Sequence, residues 1–597
     1  MARSKLSSSW QSSRNAGVLG AGTRRFATSI PRGNSAKPGQ LKKEPEPEPA
    51  TSNGKGGEKK ENGDKEKDGF GQSILANTAI LVLGALVGTS WASFNLCKEP
   101  PEFLFPHTST LPLASTLSPL YGDSKLVIEE VKGFLNEDQV SESKDEIDNH
   151  SDSFFSTDHP TPEEHPDAVI YPETTEQVSQ IMQAAHKHHV PIVPFTGGTS
   201  LEGHYISTRR GICLDMSRMN KIVALHKEDL DIIVQPGVGW EDLRDYLQPL
   251  GLIFGPDPGP GAAIGGMCGT SCSGTNAARY GTMRENVVSS TVVLADGTIV
   301  KTRRRPRKTA AGYNLTNLFV GSEGTLGIVT EATLKLNVLP KFENVAVVSF
   351  PSMSDAADAV AKVVQSGVQF NAMELLDAQM MKFVNVSGNV TKKYDEKPTS
   401  MFKLGGNSDK VVNSITNDIK DICNECNCGK KNFRFASSDE EKEELWTARK
   451  VALWSTIDAG REVYGEDAQV WTTDVAVPIS KLVQSLVDTR KILDDEKMMS
   501  SIVSHAGDGN YHTFIVYPKK DHDRVRQVVQ HMVTRALELD GTVTGEHGVG
   551  IGKREYLREE LGDVGVNVMR KLKFALDPLL ILNPDKVIQI DPEEKRE

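Results

Sequence analysis

The chain has 597 residues, of which 38% are hydrophobic and 25% charged, with a formal net charge of −12. That length exceeds one ordinary hydrophobic core and predicts two or three domains. The negative balance excludes a general nucleic-acid binder, which needs a basic footprint. Seven cysteines, unevenly placed over this length, exclude a secreted disulfide framework.

Residues 1–43 carry Arg3, Lys5, Arg14, Arg24, Arg25 and Arg32 with no acid among them, and are rich in Ser and Ala. That composition predicts a mitochondrial transit peptide, with Arg24-Arg-Phe-Ala27 as a processing site. Residues 44–69 are charged and Pro/Gly-rich and predict a solvated linker. Gly69 to Cys97 has no charged residue. Residues 73–96 therefore predict one transmembrane helix, since about 20 apolar residues span a bilayer. Lys59, Lys60, Lys65 and Lys67 flank its N-terminal side. The positive-inside bias then puts the helix in the mitochondrial inner membrane and the large C-terminal body in the intermembrane space. Residues 99–165 read as a connector, with a short helix at Lys125–Glu137.

From Pro166 short β-rich runs alternate with helical spacing, which predicts an α+β fold. Strands are expected at Asp167–Tyr171, Pro191–Phe195, Ile222–Leu225, Asp231–Val234 and Thr291–Leu294. A helix at Glu173–His189 should bury Val178, Ile181, Met182 and Ala185. The glycine-rich texture ends near residue 342. A second α+β unit is expected over 343–480, with strand Val345–Phe350 and helix Met353–Gln365. A C-terminal segment follows over 481–592.

Three glycine blocks stand in the first of these units. Pro194-Phe-Thr-Gly-Gly-Thr-Ser200 lets successive backbone N–H groups converge on an anion, with hydroxyls as further donors. By itself it is also compatible with a plain strand-to-helix turn. The second block runs through Gly255–Gly259, Ile264–Gly266, Thr270–Asn276 and Arg279–Gly281. The third is Gly312-Tyr-Asn, then Gly321–Glu331. Such loops, separated by short strands, can wrap a long diphosphate-bearing cofactor. In order and spacing the three blocks resemble the FAD-binding domain of the vanillyl-alcohol oxidase and p-cresol methylhydroxylase superfamily, over roughly residues 166–338. The resemblance implies a two-subdomain FAD-binding domain, here 166–342, with an α+β cap domain. It implies FAD contacts at Pro194, Thr196, Gly197, Gly198, Thr199, Ser200, Gly265, Gly266, Thr270, Ser271, Gly274, Thr275, Asn276, Gly281, Ile328, Val329 and Asn583. No histidine lies between Tyr205 and Lys221 or between Glu241 and Glu323, so noncovalent FAD is expected.

Near the C-terminus, Gly507-Asp-Gly-Asn510 is a turn signal between strand-like runs Ser501–Val503 and Thr513–Tyr517. A hairpin there makes His505 and His512 cross-strand partners, able to share one metal ion. Two ordinary hairpin histidines are the alternative on this motif alone. In Gly545-Glu-His-Gly-Val-Gly-Ile-Gly552, Glu546 can supply a third, carboxylate ligand and His547 a general base. Such a ligand set leaves open positions for substrate and suits zinc or manganese.

These two clusters resemble the D-2-hydroxy-acid dehydrogenases of the same superfamily. The resemblance implies His505, His512 and Glu546 as metal ligands, His547 as catalytic base and Arg449 as a clamp on the substrate carboxylate. Relatives acting on D-2-hydroxyglutarate carry a lysine and an asparagine where this chain has Thr472 and Phe514. That departure favours a short monocarboxylate such as D-lactate, oxidised to pyruvate with cytochrome c as electron acceptor. A D-2-hydroxyglutarate dehydrogenase, an alcohol oxidase and a flavin-dependent alkyl transferase are the rival readings. Cys423, Cys426 and Cys428 read as a reduced surface loop, and Cys268 and Cys272 as packing residues. Arg303–Lys308 reads as a solvated basic face.

Overall fold

The computed structural model describes residues 119–590 other than 437. The expected transit peptide, linker and transmembrane segment lie outside the described residues. Among the described residues no helix is long and apolar enough to cross a membrane.

Three sheets carry the fold. The first has the order β1 (Val140–Ser141), β2 (Ala168–Ile170), β4 (Ile212–Asp215), β3 (Ile192–Phe195). Helix Thr175–His188 packs on it. Thr174 caps that helix by accepting from Gln177 N–H, and His189 ends it at φ 54°. The expected face, Val178, Ile181, Met182 and Ala185, is fully buried. The segment expected as a connector is part of this unit. Its strand β1 pairs with β2, and helix Ser124–Val131 buries Val127, Ile128 and Val131 in the same core.

The second sheet has the order β5 (Ile222–His226), β6 (Asp231–Val234), β9 (Ile328–Lys335), β7 (Val287–Val293), β8 (Ile299–Lys301). Short strands separate the glycine blocks as expected, and within and just after the second block the structure has short helices, Ile264–Thr270, Ala277–Tyr280 and Met283–Asn286, which were not expected. The glycines explain this. A Cβ on Gly265 would come within 2.7 Å of Pro236 Cβ, and one on Gly266 within 2.9 Å of Thr196 Oγ1. A helix of small residues lets this backbone lie directly against the first block.

The third sheet is the largest. Its order is β13 (Phe433–Phe435), β10 (Phe342–Ser349), β12 (Thr399–Gly406), β11 (Ala372–Leu376), β16 (Met499–His505), β17 (Asn510–Pro518), β14 (Ala468–Thr472), with β15 (Val475–Ala476) also on β17. Strands from both sides of residue 480 therefore share one sheet, so the expected division there marks no break in the architecture. Side chains alternate between its two faces, as the pleat requires. Ala346, Val348, Met373, Leu375, Ile502, Tyr511 and Ile515 meet helices Met353–Ser366, Asp409–Glu425, Leu482–Asp495 and His522–Glu538. Val345, Val347, Ala372, Leu376, Val503 and Phe514 meet helices Ala378–Val386 and Asp439–Lys450. Cys423 and Cys428 are fully buried in the first of these cores and Cys426 nearly so. This corrects the surface-loop expectation, and burial pushes all three thiols up in pKa. In the basic run, Arg305 is tied to Asp229 and Asp231, while Arg304, Arg307 and Lys308 are exposed.

Candidate active site

Period-two alternation puts Glu374, His505, His512 and Phe514 on one face of the third sheet. Glu374 and His505 are direct cross-strand partners. The hairpin forms, but its register differs from expectation. His505 pairs with Asn510 and His512 with Val503, because the ladder runs on to a tight four-residue turn in which Gly509 takes φ 79°. The shift is two residues, an even number, so both imidazoles stay on one face. Their ring centroids are 5.3 Å apart.

Each ring is oriented from behind. His505 Nδ1 lies 2.8 Å from Glu374 Oε1, and His512 Nδ1 lies 3.1 Å from the Thr473 carbonyl oxygen. Both partners accept, so each Nδ1 carries a proton and each Nε2 is turned inward. The two Nε2 atoms converge on Glu546 Oε1, at 3.1 Å from His505 and 3.0 Å from His512. One ligand atom from each of the three residues falls within 4.8 Å of the others. Glu546 Oε2 is buried without a partner. Histidines held at one nitrogen by an acceptor, with the other nitrogen turned to a shared carboxylate, form a donor set that suits a divalent ion once the inner protons are given up. Burial opposes charge on Glu546, but the two imidazoles outweigh it and hold its carboxyl well below the usual range. Burial likewise opposes a charged His505, and Glu374 and Glu546 outweigh it upward. Asp474, His512 and His547 form a second close group. There Asp474 is already spent: Oδ2 accepts from the N–H groups of Glu546 and His547 and from Thr544 Oγ1, and Oδ1 from Asn510 Nδ2.

His547 stacks on His512 with centroids 4.8 Å apart and planes 9° from parallel. Its Nδ1 is buried without a hydrogen-bond partner, 3.9 Å from Glu202 Oε1 and 4.0 Å from Asp474 Oδ2. Burial lowers its pKa to about 3, against the pull of Asp474, so the ring is neutral. Arg449 projects from helix Asp439–Lys450 and donates through Nε to Glu374 Oε2. One carboxylate thus bridges Arg449 and His505. Burial opposes charge on Glu374, and His505 and Arg449 outweigh it downward.

The glycine blocks converge. A Cβ on Gly197 would lie 2.5 Å from the Gly261 carbonyl oxygen, and one on Gly324 2.6 Å from Pro194 Cγ. Thr199 stands 3.5 Å from a Cβ on Gly261, and Gly198 turns at φ 64°. Pro194 to Ser200 therefore sits against both later blocks. Thr275 Oγ1 and Asn276 N–H are bound by Asp257, and a Cβ on Gly274 would strike the same aspartate. Thr270 Oγ1 donates to the Gly266 carbonyl oxygen, Ser271 takes left-handed backbone, and Gly281 is extended at φ 82°. Ile328 buries its side chain in the first core, and Val329 packs beside Phe319. Asn583 Nδ2 ties the His204 carbonyl to that of Glu323. Buried polar atoms without a protein partner, Tyr280 Oη, Asn286 Oδ1 and Asn583 Oδ1 among them, fit a cradle made for a polar ligand. His204, just before the stretch searched for an attachment histidine, sets Nε2 3.3 Å from Glu323 Oε2.

Sequence reasoning missed Glu374, Asp474, Glu202, Lys553, Asp257 and Glu323. Lys553 Nζ lies 3.0 Å from Glu202 Oε1 and 3.5 Å from Asp474 Oδ2, a buried charge group behind His547. A charge centred in a wholly buried strand, as Glu374 is in Ala372–Leu376, is the one signal that was available.

Comparison with known proteins adds the following. The FAD binding domain family matches residues 166–303, and the C-terminal domain family of FAD linked oxidases matches 339–587. The chain is 53% identical to D-lactate dehydrogenase [cytochrome] 1, mitochondrial, of Saccharomyces cerevisiae, over 82% of this chain and 85% of that one. It is 45% identical to the mitochondrial D-lactate dehydrogenase [cytochrome] of Arabidopsis thaliana, over 71% and 73%. With the mitochondrial D-2-hydroxyglutarate dehydrogenase of Rattus norvegicus the identity is 29%, over 70% and 78%. Among solved structures, p-cresol methylhydroxylase aligns at TM-score 0.63 and 16% identity, covering 78% of this chain and 97% of that one. Alkyldihydroxyacetonephosphate synthase aligns at 0.61 and 21%, covering 81% and 90%. The last two share the fold.

Proposed function

The chain belongs to the D-lactate dehydrogenase (cytochrome) family of FAD-linked oxidases, and from that we propose a division of labour in its active site. The enzyme oxidises D-lactate to pyruvate with FAD, and two electrons leave singly to cytochrome c. FAD is bound noncovalently by Pro194–Ser200 and the two later glycine blocks. His505, His512 and Glu546 hold a divalent ion, zinc or manganese, and the observation that carries this is the convergence of two back-oriented imidazoles on Glu546 Oε1. When bound, FAD supplies the hydride acceptor and the ion a charge that favours an ionised 2-hydroxyl.

This chain's residues do the rest. Arg449, oriented by Glu374 through Nε, offers its remaining guanidinium N–H groups to the substrate carboxylate. His547, neutral and buried, takes the proton of the 2-hydroxyl. Asp474, by holding the N–H groups of Glu546 and His547 together, keeps ligand and base in fixed relation. Thr472 and Phe514 are cross-strand partners and both buried. A site edged by a hydroxyl and a phenyl ring at these positions leaves a second carboxylate unpaired, which favours lactate over hydroxyglutarate. We assign the body to the intermembrane space, anchored by residues 73–96.

The test is anaerobic mixing with D-lactate, L-lactate and D-2-hydroxyglutarate, followed by cytochrome c. D-lactate should bleach the flavin fastest, and cytochrome c should restore its colour. Equal bleaching by hydroxyglutarate would overturn the substrate assignment.

A further inference from the structure

The loop Gly545–Gly552, which carries Glu546 and His547, has no strand or helix to hold it. Its backbone N–H groups must find partners outside the loop or lie buried and unpaired, which is costly. Gly545 donates to the Asp474 carbonyl oxygen and Ile551 and Gly552 to that of Glu202, and the four N–H groups at Glu546, His547, Val549 and Gly550 are met by two carboxylates from two different parts of the fold. Asp474, beside the third sheet, accepts from Glu546 and His547 at 2.9 and 2.8 Å. Glu323, in the third glycine block, accepts from Val549 and Gly550 at 2.6 and 2.8 Å. Between these pairs stands Gly548 at φ 84°. A Cβ there would come within 2.7 Å of Glu323 Oε1 and 2.8 Å of His204 Nε2, so only glycine leaves room for the contact.

Glu323 itself takes φ 54°, a left-handed conformation uncommon for a residue with a side chain. Its backbone is fixed among the cofactor loops. Its N–H donates to the Gly269 carbonyl oxygen at 2.9 Å, and its own carbonyl accepts from Asn583 Nδ2 at 2.7 Å. The backbone of one residue is thus built into the loops for FAD, and its side chain into the loop for the base.

We propose that Glu323 is a positioning residue for D-lactate oxidation, fixing the loop of His547 at its distance from the cofactor loops. The inference rests on the reading of His547 as base. Glu323→Gln keeps the size of the side chain, but its amide NH2 must face one of the two N–H groups it now accepts. In the full-length, FAD-loaded enzyme, E323Q should lower the limiting rate of flavin reduction by D-lactate roughly 10- to 100-fold per bound flavin, the scale of a small misplacement. The dissociation constant for D-lactate should stay within about threefold, since Arg449 and the proposed ligands hang on the third sheet and Asp474. The deuterium isotope effect with D-[2-²H]lactate should rise, a readout that lost stability alone would not move. Gly548→Ala attacks the same contact from the other side and should give the same pattern. It also decides the matter if E323Q cannot be loaded with FAD. Wild-type reduction rates in the loaded variants would overturn the proposal, as would a rate loss matched by lost substrate binding. His547→Asn is the control. If it too reduces at the wild-type rate, the base assignment fails. If it slows and the other two do not, the positioning role alone fails.

Discussion

The cofactor loops and the histidine cluster are held by opposite means. Between residues 194 and 324 glycine backbone lies directly against its neighbours: Gly197 against the Gly261 carbonyl, Gly265 against the Pro236 ring, Gly324 against the Pro194 ring. Around His505 charge meets charge, with Glu374, Glu546 and Asp474 joined to two imidazoles, and Glu202 joined to Lys553. A backbone cradle is sensitive to added atoms and indifferent to most side-chain chemistry. A buried charge cluster is sensitive to the loss of any one partner, because the charge left behind is desolvated and unpaired.

That contrast can be broken most forcefully at Glu374. Glu374→Ala strands Arg449 and His505 together and should cost about 3–5 kcal/mol of unfolding free energy, the scale for breaking a buried pair. Urea unfolding of the FAD-loaded protein measures it, and a loss comparable to a surface substitution would contradict the charge-held picture. Gly197→Ala makes the opposite cut. It should cost about 1–3 kcal/mol by overpacking and weaken FAD binding, while leaving the metal content of the histidine cluster unchanged. Loss of metal in that variant would show that the two regions are not independently held.

A smaller effect sharpens the picture at their junction. Arg449→Lys keeps the charge beside Glu374 and loses the planar fork. The KM for D-lactate should rise by about tenfold, and FAD affinity should not move. Equal loss of both would place Arg449 in the cofactor site. The smallest effect concerns pH. Burial lowers the pKa of His547 to about 3, so the base is already deprotonated at neutrality. Its activity is lost only as pH falls through that value, so kcat/KM should not decline between roughly pH 8 and pH 6 on its account. An acid limb centred near neutrality, absent in His547→Asn, would contradict this.

The same contrast explains what the sequence reveals. The glycine blocks are legible because each is a local run whose order along the chain survives into the fold. Helix Thr175–His188 and strand Asp231–Val234 are legible because periodicity and caps are local too. The hairpin was legible in parity but not in register, since turn residues bound the loop only to within a pair or so. The charge cluster was half legible. His505, His512, Glu546 and His547 lie in two short motifs. Glu374, Asp474 and Glu202 are solitary acids, brought together from separate strands and loops, and nothing local in the sequence joins them. Glu323 was hidden inside a glycine block, where the glycines drew the eye and the acid did not.

Ligand and base roles are the centre of the proposed mechanism, and metal content beside stopped-flow flavin reduction separates them. His505→Ala and His512→Ala should lose bound metal and activity together. His547→Ala should keep FAD and metal while its reduction rate falls by roughly 10²–10⁴-fold, the scale of a positioned base. If His547→Ala loses the metal and His505→Ala retains it, the roles are reversed. If wild-type protein binds no metal, His505 and His512 act on the substrate directly, and the metal-assisted account is wrong.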